Sequence, residues 1–186
     1  MEQNQLLSTQ IASQSRLSAA ALRIVAFTGL TSLAAQVVIP HQPVPFTLQT
    51  FAVLLAGAML GRGEGALSQI LYLACGSLGL PVFAQWGSGM SQLIGPTGGY
   101  LIAFPIAAFV VGWFNASGNY LRLLFSMAVG LFIIFSLGTL QLYFLYYHDL
   151  SSAISSGFLI FTWWDAAKII AASGIAKTLK PYLIRK

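Results

Sequence analysis

The sequence predicts an all-α integral membrane protein, a bundle of six transmembrane helices. Three observations predict it. Hydrophobic residues make up 57% of the 186 and charged residues only 7%, against about 25% charge in an ordinary soluble domain. The apolar residues gather into six runs separated by short polar or Gly/Pro-containing joints. The cations keep to alternate joints, the asymmetry that orients membrane helices. Such a composition excludes a soluble globule and a disordered chain. The net charge of +5 does not point to nucleic acid, because the basic residues form no run and no aromatic-interleaved patch. The length suits one domain.

Residues 1–16 are polar and read as a cytoplasmic N-terminal tail, leaving 17–186 as a single membrane domain. The first span covers about 17–39, enough at ~1.5 Å per residue to cross a hydrocarbon core of ~30 Å. It is longer than a signal-peptide core of about 7–15 residues, so it is read as retained. The other spans are about 46–60, 65–80, 97–114, 121–147 and 158–180. The second and third are short, carry Gly57, Gly61, Gly76 and Gly79, and are bounded by Pro45 and Pro81. Broken backbone at membrane depth must face protein or water, so a site is expected there.

One side of this arrangement holds Arg16, Arg23, Arg62, Arg122, Lys177, Lys180, Arg185 and Lys186. The other holds segments 40–45, 81–96 and 148–157, which contain no Lys or Arg. The positive-inside rule then places both termini in the cytoplasm, in a multi-pass plasma-membrane protein. Trp163, Trp164, Tyr146 and Tyr147 fall at the outer boundary and Trp113 at the inner one, as expected for interfacial aromatics.

The remaining cation, Lys168, lies inside the last span three residues after Asp165, on the same helical face. An ionisable group at mid-membrane costs roughly 2.5–3.5 kcal/mol on insertion scales and is usually turned inward and paired. Two readings stand: a structural ion pair near the outer interface, with Thr162 and Asp165 at capping-box spacing, or a polar anchor for a ligand. Intramembrane charge favours the ligand.

Two outer segments add to it. Loop 81–99 is rich in glycine, which lets backbone approach a ligand closely, and offers Gln85, Ser88, Ser91, Gln92 and Thr97 as neutral donors and acceptors. It is also readable as a plain hairpin. It has no Walker lysine, so it is no phosphate cradle. In 41–50, Pro43 and Pro45 stiffen a turn and Thr47, Gln49 and Thr50 open an apolar helix, where they serve either the site or the helix start.

No H-E-x-x-H or G-x-S-x-G occurs. His41 and His148 lie in loops with no partner set, so no metal site or cofactor is expected. The lone Cys75 excludes an intrachain disulfide. The sequon at Asn115 falls on the cytoplasmic side.

With these residues in hand, the chain resembles the BioY family, the biotin-binding S components of energy-coupling-factor (ECF) vitamin transporters. The resemblance runs over about 20–180. It is carried by Val44–Gly57 (VPFTLQTFAVLLAG), Gly79–Ala84 (GLPVFA), Gly95–Tyr100 (GPTGGY) and Asp165-x-x-Lys168. It implies a six-helix membrane fold and high-affinity biotin binding and uptake, with no enzymatic activity. The implied partners are a membrane scaffold subunit and two cytoplasmic ATPases. It also implies ligand contacts from Asp165, Lys168 and Gln85, the last at a position where the family often has Asn, with Tyr100 and the Gly98-Gly99 backbone beside them. Phe83, Trp86 and Tyr100 are expected to wall the apolar ring of biotin, and Thr47 and Gln49 to complete the site. Two other classes remain in view: a structural or assembly bundle using the ion pair for registry, and an integral-membrane enzyme moving protons through it.

Overall fold

The computed structural model describes residues 2–115, 119–159 and 163–183. Thr162, the sequon residues Ala116 and Ser117, and the terminal cations Arg185 and Lys186 lie outside them. The chain is helical almost throughout: α1 (Glu2–Ala34), a two-stranded ribbon of β1 (Val38–Ile39) and β2 (Phe46–Thr47), α2 (Gln49–Ser77), α3 (Ser91–Ile94), α4 (Gly98–Phe114), α5 (Tyr120–Leu142), α6 (Leu150–Gly157) and α7 (Trp163–Leu183). Among the described residues, two stretches are long and apolar enough by themselves to cross a membrane, Arg16–Ala34 and Tyr120–Tyr147; Gly98–Phe114 is apolar but shorter.

Several boundaries differ from the sequence reading. The polar residues after Met1 are helical and continuous with the apolar part of α1, which stops at Ala34 rather than 39. Residues 35–47 turn back as the antiparallel ribbon instead, with Val38 opposite Thr47 and Ile39 opposite Phe46. The outer segment 148–157, read as a joint, contains α6. Asp149 caps it, its carboxylate accepting from the Ser152 N–H at 2.8 Å, and a capping bond of this kind is enough to start a short amphipathic helix.

The two short spans expected at 46–60 and 65–80 are the two arms of α2. The break is at Gly61, whose φ of 79° and ψ of −178° are non-helical. This is a conformation a side chain resists and glycine adopts freely. The arms fold onto each other there: a Cβ on Gly65 would lie 3.0 Å from the Ala56 carbonyl oxygen and the Gly57 Cα. Helix α4 packs against the first arm so closely that a Cβ on Gly57 would run into the Ala108 backbone. Small residues permit this kind of approach where no hydrophobic drive exists between helices in lipid.

Helix α1 lies along the second arm of α2 through a polar seam. Arg23 forms a bidentate pair with Glu64, at 2.8 and 2.7 Å. The Thr28 hydroxyl donates to the Ser68 carbonyl at 2.8 Å, and the Gln69 amide donates to Thr31 Oγ1 at 3.2 Å. Thr31, Ser68 and Gln69 are fully buried, and buried polar groups must be paired in this way. Thr28 and Thr31 of α1 and Ala35 just after it are buried, spent on packing within the chain.

Candidate functional site

A cavity of about 290 Å³ opens at the end of the bundle where the ribbon, the 81–97 loop and the start of α7 meet. One wall is polar, built from Thr47, Gln49 and Thr50 facing Asp165 and Lys168. The other is apolar: Phe83, Tyr100, Leu101, Phe104, Ile134 and Phe135. Gln85, Gln92 and Thr97 lie on the rim formed by the loop. An apolar cavity with a few placed polar groups is the usual form of a small-molecule site.

The polar wall is built by joining distant segments. Lys168 Nζ donates to Asp165 Oδ1 at 3.0 Å, to the Thr47 carbonyl at 2.9 Å and to Thr50 Oγ1 at 3.2 Å. An ammonium has three protons, and these partners match them one for one. Asp165 is buried, its side chain 2% exposed; a carboxylate so placed needs a charged or hydrogen-bonding partner, and Lys168 is that partner. On the other arm, Thr47 Oγ1 accepts from the Gln49 N–H at 3.3 Å and donates to Gln49 Oε1 at 2.9 Å. The Gln49 amide donates in turn to the Tyr72 hydroxyl, which donates to the Val82 carbonyl at 3.1 Å. Thr47 and Gln49 thus serve both the helix start and the cavity wall.

The apolar wall rests on glycines. The Phe83 ring, 1% exposed, lies on Gly76, and the Tyr100 ring lies on Gly138; a Cβ at either glycine would overlap the ring. The Tyr100 hydroxyl donates to the Gly157 carbonyl at 2.9 Å, tying α4 to the end of α6.

Of the residues singled out in the sequence, the structure brings Asp165, Lys168, Gln85, Tyr100, Phe83, Thr47 and Gln49 around one cavity. It does not bring Trp86, Gly98 or Gly99 to its wall. Trp86 is 67% exposed. Gly98 and Gly99 instead let α4 sit against the Leu93 and Leu137 carbonyls. Sequence reasoning passed over Leu101, Phe104, Ile134 and Phe135, which lie inside uniformly apolar runs where nothing marks one position from the next. Thr50, Gln92 and Thr97, from the polar clusters marked in the sequence, also line the cavity, whereas Ser88 and Ser91 of the same loop do not.

The family model described as "BioY family" matches residues 4–185. The "Biotin transporter BioY" of Thermotoga maritima is 44% identical over 164 residues, covering 83% of this chain and 91% of that protein. The "Probable biotin transporter BioY" of Pyrococcus horikoshii is 40% identical over 157 residues, covering 84% and 93%. Among solved structures, the S component for biotin from an ECF-type ABC transporter superposes with a TM-score of 0.83 at 27% identity, covering 89% of this chain and 93% of that one. The helical architecture, the segments built around the cavity and these relatives lead to one conclusion: the chain belongs to the BioY family.

Proposed function

We propose that this protein captures biotin at the outer face of the membrane and serves as the substrate-binding subunit of an ECF-type transporter. The observation that carries the proposal is the buried Asp165, held by Lys168 at the polar end of an otherwise apolar cavity. Family membership and likeness to a biotin S component support it. Biotin has a planar ureido group, an apolar thioether ring and a carboxylate tail. The Asp165 carboxylate accepts from ureido N–H groups, and the Phe83, Tyr100 and Phe135 side chains bury the ring. Lys168 reaches a ligand oxygen by exchanging one of its three protein acceptors, of which Thr50 Oγ1 is the most distant. Gln85 and Thr97 meet the remaining polar group from the loop.

In this reading α1, the two arms of α2, α4, α5 and α7 are the six spans, with both termini cytoplasmic. Arg23 pairs with Glu64, the Lys180 Nζ reaches the Asn115 carbonyl at 3.5 Å, and the Asn115 amide bonds the Ala58 carbonyl at 3.0 Å. These contacts gather the cations at the bundle end away from the cavity, as the positive-inside rule requires of the cytoplasmic face. The energy for release inward is supplied by an ECF scaffold subunit with two ATPases. The test is equilibrium binding of radiolabelled biotin to the purified chain, with Asp165→Asn as comparator. Saturable binding that D165N abolishes is expected; no binding by the parental chain overturns the proposal.

A further inference from the structure

The turn that follows the second arm of α2 holds unusual backbone. Gln85 and Trp86 are consecutive non-glycine residues at φ of 56° and 58°, where the side chain crowds its own carbonyl. Strain of this kind persists only where the surroundings hold it, and it concentrates at ligand clamps. The turn closes on itself through the Phe83 N–H to the Gly87 carbonyl at 3.0 Å and the Gly87 N–H to the Ala84 carbonyl at 3.1 Å. From outside it is gripped by Gln36, just beyond the end of α1. The Gln36 amide nitrogen donates to the Phe83 carbonyl at 3.0 Å and to the Ser32 carbonyl at 3.2 Å. Its amide oxygen accepts from the Trp86 N–H at 3.0 Å. One side-chain amide therefore bonds the backbone on both sides of Ala84 and Gln85, two residues of the cavity wall, while Gln36 itself is not part of that wall.

We infer that Gln36 is a positioning residue for substrate capture: its amide fixes the 83–87 turn so that Phe83, Ala84 and Gln85 face the cavity, and it links α1 to the site. The inference rests on the biotin-capture reading. A side-chain amide supplies a donor and an acceptor in one plane, and the length of Gln36 brings both to the turn. The strain falls on Gln85, between the two gripped groups, and on Trp86, whose N–H is one of them.

The test compares the purified full-length chain with Gln36→Met, which keeps the length and removes both bonds, Gln36→Glu, which keeps the acceptor for the Trp86 N–H, and the double variant Gln36→Met/Trp86→Gly. The readout is the equilibrium dissociation constant for biotin. Loss of both bonds to the turn is expected to weaken binding about tenfold, and Q36E, which sets a carboxylate oxygen against the Phe83 and Ser32 carbonyls, at least as much. Glycine at 86 adopts positive φ without steric cost and is expected to recover affinity without restoring either bond, a rescue that a merely structural role does not produce. Parental affinity in Q36M, or a loss that glycine at 86 does not relieve, overturns the inference while the capture reading stands. Should Q36M fail to fold, parental affinity in Q36E overturns it and weakened binding supports it. Absence of binding by the parental chain itself removes the capture reading and this inference with it.

Discussion

The Lys168 ammonium donates to the Thr47 main-chain carbonyl at 2.9 Å, joining α7 to the end of the ribbon across 121 residues of sequence. The same ammonium holds Asp165. The pair is a structural clasp, and in the proposed capture reading a ligand anchor as well, so its removal has two separable consequences.

Lys168→Met takes the opposite charge away from the buried Asp165. Breaking a buried pair from one side costs about 3–5 kcal/mol, so reversible unfolding in detergent is expected to show a loss of that order. Asp165→Asn/Lys168→Met, which removes both charges, is expected to recover most of the stability and none of the biotin binding. Stability that falls equally in the single and double variants contradicts the assignment.

Gly138→Ala places a methyl where the Tyr100 ring now lies. Inserting a methyl into a packed site costs about 1–3 kcal/mol, and here the relief is movement of the ring into the cavity. Weaker biotin binding is expected, whereas Tyr100→Phe keeps the ring and loses only the bond to the Gly157 carbonyl, at about 1 kcal/mol of stability. Isothermal titration and thermal unfolding of the two variants separate these effects.

Asp149 lies outside the spans, and its carboxyl is held below the usual carboxylate range, chiefly by the Ser152 hydroxyl and then by the Ser152 N–H. A carboxylate depressed in the folded state contributes stability above its unfolded pKa, and that contribution is lost as pH falls through the lower folded value. Protection of the α6 amides, as exchange relative to the intrinsic rate at each pH, is expected to fall on acidification through the range of an ordinary carboxylate, about 4, and below it. In Asp149→Ala that protection is expected to be low at every pH.

Orientation is checked by cysteine labelling in a Cys75→Ser background. Gly63 lies beside the Arg62 turn with open space around its Cα, and Ser151 is exposed at the start of α6. A membrane-impermeant maleimide applied to intact cells is expected to modify Ser151→Cys and spare Gly63→Cys. The reverse pattern inverts the topology.

What was legible in the sequence was local or periodic. The apolar runs gave the positions of the helices, because a span needs a continuous hydrophobic length and nothing tertiary. The spacing of Asp165 and Lys168 placed them on one face because that follows from helix pitch alone. The glycines at 57–79 marked where backbones approach and turn, and Gly61 is where α2 turns back, but the cavity is lined by the segments on either side of them.

Other features were decided only by the fold. Whether Lys168 meets Thr47 or Thr50 depends on how two segments more than a hundred residues apart are stacked, and no local pattern encodes that. Which aromatic faces the cavity depends on the same stacking: Phe83 turns inward onto Gly76 while Trp86, three residues later, turns out. The amino-acid sequence by itself determined that the chain is helical and apolar, where its charges lie and which family it resembles, since burial in lipid acts on each helix separately. Only the tertiary structure decided which side chains share the cavity and that Gln36 grips its rim, because those contacts exist only once the helices have packed.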